Sequence, residues 1–172
     1  MQRSVSHSFC IAGALALLLT GCGFHLRQPA RLPAVMLRTY IDDSSGDREL
    51  VRELRRSLTT PSTTVIDDAV HATAVLNITK SQRFQRVLSV SNTGQPLEYQ
   101  VAYQVEFSLT GAGKTLIVPQ TLTLTRNYAY DVASVIGDTE QANVLYNALE
   151  DNMAQLILFK LEAAGRKKPV SH

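Results

Sequence analysis

The stretch Glu98-Tyr99-Gln100-Val101-Ala102-Tyr103-Gln104-Val105-Glu106-Phe107-Ser108-Leu109 decides the fold. Tyr99, Val101, Tyr103, Val105, Phe107 and Leu109 alternate with polar or small residues without a break. A period of two places the first set on one face of a β-strand and the second set on the other. The run is far longer than the usual strand of about five or six residues, so it needs long neighbours. On its N-terminal side, Ala74, Leu76 and Ile78 begin a strand that runs to Val90 through a bulge near Ser81-Gln82. The cluster Ser91-Asn92-Thr93-Gly94-Gln95-Pro96 turns the chain between the two. On the other side Gly111-Ala112-Gly113-Lys114 reverses the chain, and Thr115 to Tyr130 alternates again, with Leu116, Val118, Leu122 and Leu124 on one face.

Two helices flank these strands. Ala34 to Ile41, with Val35, Leu37 and Tyr40, reads as a first strand, broken by Asp42-Asp43-Ser44-Ser45-Gly46. Ser45 is a suitable N-cap for a helix with Leu50, Leu54 and Leu58 on one face, Val51 beside them, and Arg48, Arg52, Arg55 and Arg56 mainly opposite. Thr59-Thr60-Pro61 ends it. Near the C-terminus Asp138 can cap a second helix, with Gln141 completing a capping-box-like pair. Its apolar stripe is Ala142, Leu145, Leu149, Met153 and Leu156, and Gly165 suits the position after its end. The order β-α-β-β-β-α predicts an α+β two-layer sandwich, with two helices on one face of a four-stranded, mostly antiparallel sheet. The uncovered face then carries Gln100, Gln104, Glu106, Ser108, Thr121, Thr123 and Thr125, which are polar but carry little charge. Two readings stand open: an ordinary solvated sheet face, or a face that docks in a polar cavity, where neutral groups cost less to bury than charges.

The N-terminus says where this domain is held. Arg3 and His7 precede an apolar run from Phe9 to Leu19, the length of a signal-peptide core and short of the roughly 20 residues of a membrane span. Leu19-Thr20-Gly21-Cys22 follows and resembles the lipobox of bacterial lipoproteins, which implies cleavage before Cys22 and acylation of its sulfur. The alternative is a plain secretory signal that happens to contain Cys22. Residues 1–21 are thus the signal peptide and 22–33, with Pro29 and Pro33, a lipidated end and extended tether. A single domain over 34–164 and a flexible tail over 165–172 complete the division. One acyl chain anchors only marginally, at about 0.8 kcal/mol per buried CH₂, while two or more anchor stably. Gly23 stands where inner-membrane lipoproteins typically carry Asp, so by resemblance this one sorts to the outer membrane, lipid-anchored and facing the periplasm.

Composition narrows the chemistry. The formal net charge of +2 over 172 residues gives no reason to expect nucleic acid as a partner. Cys10 leaves with the signal, so Cys22 has no cysteine to pair with and remains for lipid. Ser108-Leu-Thr-Gly111-Ala-Gly113-Lys114-Thr115 approaches a P-loop, but Ser108 replaces its first glycine. A strand-like Leu116-Ile117-Val118-Pro119 follows where a phosphate-binding helix is needed, so the segment reads as a hairpin turn. His71 stands alone and His25 lies in the tether, which argues against a metal site. Asp42-Asp43 and Asp67-Asp68 read as solvated loop caps. No catalytic motif and no cofactor site is present, and nothing supports an enzyme.

Cys22-Gly-Phe-His-Leu-Arg27, the Gly94-Gln95-Pro-Leu-Glu98-Tyr99-Gln100 hairpin and Glu140-Gln141 opening a last helix that ends near Leu161 occur in the order seen in one family. Over the whole mature chain the sequence resembles the lipopolysaccharide-assembly lipoproteins of the LptE (RlpB) family. That resemblance implies two helices on a four-stranded sheet and a non-enzymatic role. Such proteins plug the LptD outer-membrane β-barrel, help it assemble, and bind lipopolysaccharide at the last step of its export. Binding lipopolysaccharide needs cations for its phosphates and exposed apolar surface for its acyl chains. The family pattern has basic residues in the hairpin loop and just before the last helix, where Asn92 and Gly137 stand here. Lys80, Arg83, Arg86 and Arg126, on or near the strands, are the substitutes expected to contact lipopolysaccharide, against the alternative of ordinary solvated strand charge. A generic periplasm-facing lipoprotein binding another amphiphile or a cell-wall component is the rival function.

Overall fold

A computed structural model describes residues 32–130 and 135–166, without the side chains of 135–138. The expected signal peptide, Cys22, most of the expected tether and the end of the expected tail lie outside the described residues. The chain forms β1 (Arg38–Asp43), α1 (Arg48–Leu58), β2 (Thr64–Ile66), β3 (Ala74–Val90), β4 (Pro96–Gly111), β5 (Lys114–Ala129) and α2 (Val135–Arg166). Both helices pack on the same face of the sheet. No described helix is long and apolar enough to cross a membrane.

The sheet corrects the four-stranded expectation. It has five strands in the order β2-β1-β3-β4-β5 and is mixed: β1 runs parallel to both β2 and β3, while β3, β4 and β5 are antiparallel. The extra strand, Thr64-Val65-Ile66, is three residues long, too short to display a period. Its direction follows from α1, because a helix between neighbouring strands is the crossover that parallel pairing requires. The expected first strand also begins late. Ala34–Leu37 is a 3₁₀ turn that buries Met36, whose N–H donates to the Pro33 carbonyl at 2.9 Å. All four of its residues are apolar, so alternation could not separate turn from strand.

Local details shift similarly. Asp47, not Ser45, caps α1: its Oδ1 accepts from the Leu50 N–H at 3.0 Å. Ser45 is instead held in the preceding turn by Asp43, whose Oδ1 accepts from the Ser45 N–H and hydroxyl and from the Gly46 N–H. Helix α2 begins at Val135 and continues through Gly165, so Gly137 and Asp138 lie in its opening turns and Gly165 does not end it. Its buried stripe passes through Ile157 and Leu161 in place of Leu156, which is only half-buried. The Gly111–Lys114 pair closes a two-residue turn with positive φ at Ala112 (50°) and Gly113 (72°), a hairpin turn as expected.

The core lies between the helices and the sheet and continues along β4 through Val105, Tyr103 and Val101. Leu50, Leu54 and Leu58 from α1 and Leu149, Met153, Ile157 and Leu161 from α2 meet Leu76, Ile78, Phe107 and Leu109, all almost wholly buried. Each such side chain contributes about 1.5–3 kcal/mol by leaving water. In β5 the register slips near Pro119, so Ile117 faces this core while Leu116 and Val118 point to the opposite face, separated from Leu122 and Leu124. Pro119 is tolerated because β5 is an edge strand.

One irregularity in β3 organises everything beyond the core. Ile78 pairs with Phe107 and Lys80 with Glu106, so Thr79 is an extra residue, two positions earlier than the bulge expected at Ser81-Gln82. Before it the even-numbered residues Ala74, Leu76 and Ile78 face the helices. After it the odd-numbered Ser81, Arg83 and Gln85 do, opposite Val105, Tyr103 and Val101. Pairing of β1 to β3 stops at Ile78, so beyond the bulge the sheet is a three-stranded arm of β3, β4 and β5.

Candidate functional site

Two surfaces stand out. The first is the open sheet face. Opposed residues in a sheet share a face, and the pairings Glu106–Thr121, Gln104–Thr123 and Ala102–Thr125 put the expected polar, lightly charged set together. Hydrogen bonds run across it: Gln104 Nε2 donates to Thr123 Oγ1 (3.2 Å), and Asn77 Nδ2 to Ser108 Oγ (3.3 Å). Arg86 Nε donates to Gln100 Oε1, and Gln100 Nε2 in turn to Asn127 Oδ1, both at 2.9 Å. Arg86, Gln100 and Asn127 thus form a rung across three strands, and the pairs Gln104–Thr123 and Asn77–Ser108 form shorter ones, a surface able to hydrogen-bond in either sense.

The second is the far end of the arm. Phe84, Val87, Leu88, Val90 and Leu97 are all exposed and all lie on one hairpin, where a solvated hairpin would carry polar residues. Beside them Tyr99 stacks on Tyr128 (centroids 5.8 Å apart) and meets Tyr130 edge-on (5.2 Å). Gln85 Nε2 donates to the Tyr128 hydroxyl at 2.9 Å. The alternation places Tyr99 on a strand face but gives no sign that Tyr128 and Tyr130 stand beside it.

The four candidate cations do not gather into one cluster. Lys80, opposite Glu106, and Arg86, opposite Gln100, point to the open face. Arg83, opposite Tyr103, and Arg126, opposite Val101, lie on the helix side. Arg126 is exposed there. Arg83 donates to the Glu150 carboxylate of α2 and sits 5.5 Å over the Tyr146 ring. Asn92 lies exposed in the hairpin loop.

Around Arg83 is a polar network that sequence reasoning missed. Asp47 Oδ2 accepts from Ser81 Oγ (2.5 Å) and the Tyr103 hydroxyl (2.7 Å), tying the start of α1 to the middle of the sheet. Burial pushes the Asp47 carboxyl up, but hydrogen bonds from Ser81, the Leu50 N–H and Tyr103, with the Arg83 charge, outweigh it and hold it below the usual range. For Glu150 the balance reverses: burial raises its carboxyl against the opposing pull of Arg83. The Glu150 side chain is only 4% exposed. A signal did exist, since a carboxylate directly after Leu149 sits next to the buried stripe and needs a cation.

The loop acids act as turn partners. Asp68 accepts from the Val70 N–H (2.8 Å) and lies 2.5 Å from His71 Nδ1, and Asp67 pairs with Arg55 at 2.7 Å.

Comparison with known proteins agrees with this architecture. Residues 38–161 match the family model LptE, described as lipopolysaccharide-assembly. A curated relative, the LPS-assembly lipoprotein LptE of Pectobacterium atrosepticum, is 25% identical over 155 residues, covering 89% of this chain and 84% of its own. Among solved structures, lipoprotein B of Nitrosomonas europaea superposes with a TM-score of 0.68 at 28% identity, covering 82% of this chain and 91% of that one. The rare lipoprotein B of Shewanella oneidensis gives 0.65 at 24% identity, over 73% and 94%, and shares the fold. With the family match spanning β1 to the last turns of α2, the chain belongs to the LptE lipopolysaccharide-assembly family.

Proposed function

We propose that this chain is an outer-membrane lipoprotein, acylated at Cys22 and facing the periplasm, that serves as assembly partner and plug of the LptD β-barrel. In that position it assists insertion of lipopolysaccharide into the outer leaflet. The role is non-catalytic and needs no cofactor beyond the covalent lipid. The observation that carries it is the open face of β3, β4 and β5. Barrel lumens are polar, and a surface made mostly of neutral donors and acceptors, with Lys80 directly opposite Glu106, can be buried there at less cost than a charged one. The anchor adds an effective-concentration advantage, because tethering at Cys22 makes docking close to intramolecular.

Lipopolysaccharide contact belongs at the arm's end, where exposed Phe84, Val87, Leu88, Val90 and Leu97 offer apolar surface for acyl chains. Of the four candidates, Lys80, Arg86 and Arg126 have no ion pair with a described acid, and they are proposed to meet phosphates. Arg83, the fourth candidate, already has Glu150. Placing charge on the open face, as in Gln104→Glu with Thr123→Glu, is expected to cut recovery of the barrel in affinity pull-down about tenfold while leaving the fold intact. Undiminished recovery would remove the open face from the interface.

One observation favours the rival amphiphile-binding role. A groove of about 800 Å³ lies between the 3₁₀ turn, the start of β5 and the end of α2, lined by Val35, Leu116, Ile117, Val118 and Ala163, with Lys160 at its edge. Its size falls in the range of ligand sites. A chain that binds phospholipid there and recovers no barrel would fit this alternative.

A further inference from the structure

Beyond Thr79 the helix-facing residues of β3 change from Ala74, Leu76 and Ile78 to Ser81, Arg83 and Gln85. On β3 itself apolar packing against the helices therefore ceases and side-chain hydrogen bonds take over, while Val101, Tyr103 and Val105 of β4 stay in the core and Leu122 and Leu124 of β5 pack against it. Ser81 reaches Asp47 at the start of α1 and Arg83 reaches Glu150 of α2, whereas Gln85 stays within the arm, on Tyr128 of β5. Of these, the Arg83–Glu150 pair alone joins the arm to α2.

We infer that Arg83 is a positioning residue that fixes β3 and its hairpin with β4 against α2 through Glu150, and so sets affinity for lipopolysaccharide without touching it. This rests on the lipopolysaccharide-binding role proposed above. Three observations carry it. Glu150 is almost wholly buried, so removing its partner leaves an uncompensated carboxylate in the interior. The guanidinium also lies over the Tyr146 ring, which restricts it to α2. A lipid phosphate approaching Arg83 meets Glu150 and Asp47, whose negative charges already act on that cation. The exposed apolar residues Phe84, Val87, Leu88, Val90 and Leu97 lie on the hairpin just beyond this latch, so its geometry passes to them.

The test uses full-length protein extracted in detergent, with purified lipopolysaccharide as probe and amide exchange measured without it. Arg83→Glu is expected to speed exchange in residues 84–97, with α1 and β1 unchanged, and to weaken binding about tenfold or more. The charge swap Arg83→Glu with Glu150→Arg should restore both to within about threefold. Glu150→Gln keeps the Arg83 cation in a chain that folds without a buried charge, and it too should loosen the arm and weaken binding. Unchanged or tighter binding by Glu150→Gln, or a swap that restores exchange but not binding, overturns the inference and makes Arg83 a direct lipid contact. If wild-type protein binds no lipopolysaccharide while exchange still follows the pair, the lipid-binding role fails and the latch stands.

Discussion

The Tyr103 hydroxyl donates to Asp47 Oδ2 at 2.7 Å, joining the central strand β4 to the residue that caps α1. Tyr103 is fully buried, and its ring belongs to the core while its oxygen serves the cap. Tyr103→Phe keeps the ring and removes one donor to a carboxylate, which is expected to cost about 1–3 kcal/mol. Chemical denaturation checks this, and a midpoint equal to wild type would show that Ser81 and the Leu50 N–H suffice.

Asp47 and Glu150 give pH dependences of opposite sign. Glu150 titrates above its ordinary 4.5, so the folded protein holds that proton more tightly than the unfolded chain. Its contribution therefore grows as pH falls through the raised folded value and is complete below the ordinary one. Wild type should gain stability relative to Glu150→Gln between pH 7 and about 4.5. Asp47 titrates below its ordinary 3.8, so its contribution is present above that value and is lost as pH falls through the folded one. Wild type should lose ground to Asp47→Asn only under strongly acid conditions. Denaturation midpoints measured against pH decide both, and the reverse trend in either contradicts this electrostatic assignment.

Gly111, where β4 turns into the hairpin, has no room for a side chain. A Cβ there would stand 2.9 Å from Val35 Cγ2 and 3.2 Å from the Thr73 carbonyl oxygen. Gly111→Ala should destabilise by about 1–3 kcal/mol. Pairing it with Val35→Ala should recover part of that loss relative to the two single changes. Simple additivity in a double-mutant cycle would mean that Thr73, not Val35, sets the limit.

Cys22→Ala removes the sulfur on which the anchoring proposal depends. The variant is expected to incorporate no labelled palmitate, to stay uncleaved, and to be lost from washed outer membranes. Label entering the variant at the wild-type level would contradict lipidation at this residue.

The sequence carried the fold class well because its long alternating strands and leucine stripes are statements about which faces are apolar. Phe107 and Leu109, and Leu50, Leu54 and Leu58, needed nothing else to be placed in the core. What escaped were features in which one residue resets the pattern. The three-residue strand at Thr64 shows no period, and an all-apolar Ala34–Leu37 fits turn and strand alike. The extra residue at Thr79 reverses the faces of the next eight positions, which is why Arg83 turns to the helix side and Lys80 and Arg86 to the open one. Pairings such as Arg83 with Glu150, 67 residues apart, depend on tertiary contact and leave only a weak trace, a carboxylate beside a buried stripe.

The most direct measurement is purification of natively expressed protein from outer membranes in mild detergent, with intact-mass analysis and identification of whatever accompanies it. An acylated chain in stoichiometric complex with a large β-barrel is the expected result. An acylated chain recovered in good yield with no barrel partner would contradict the plug and assembly role.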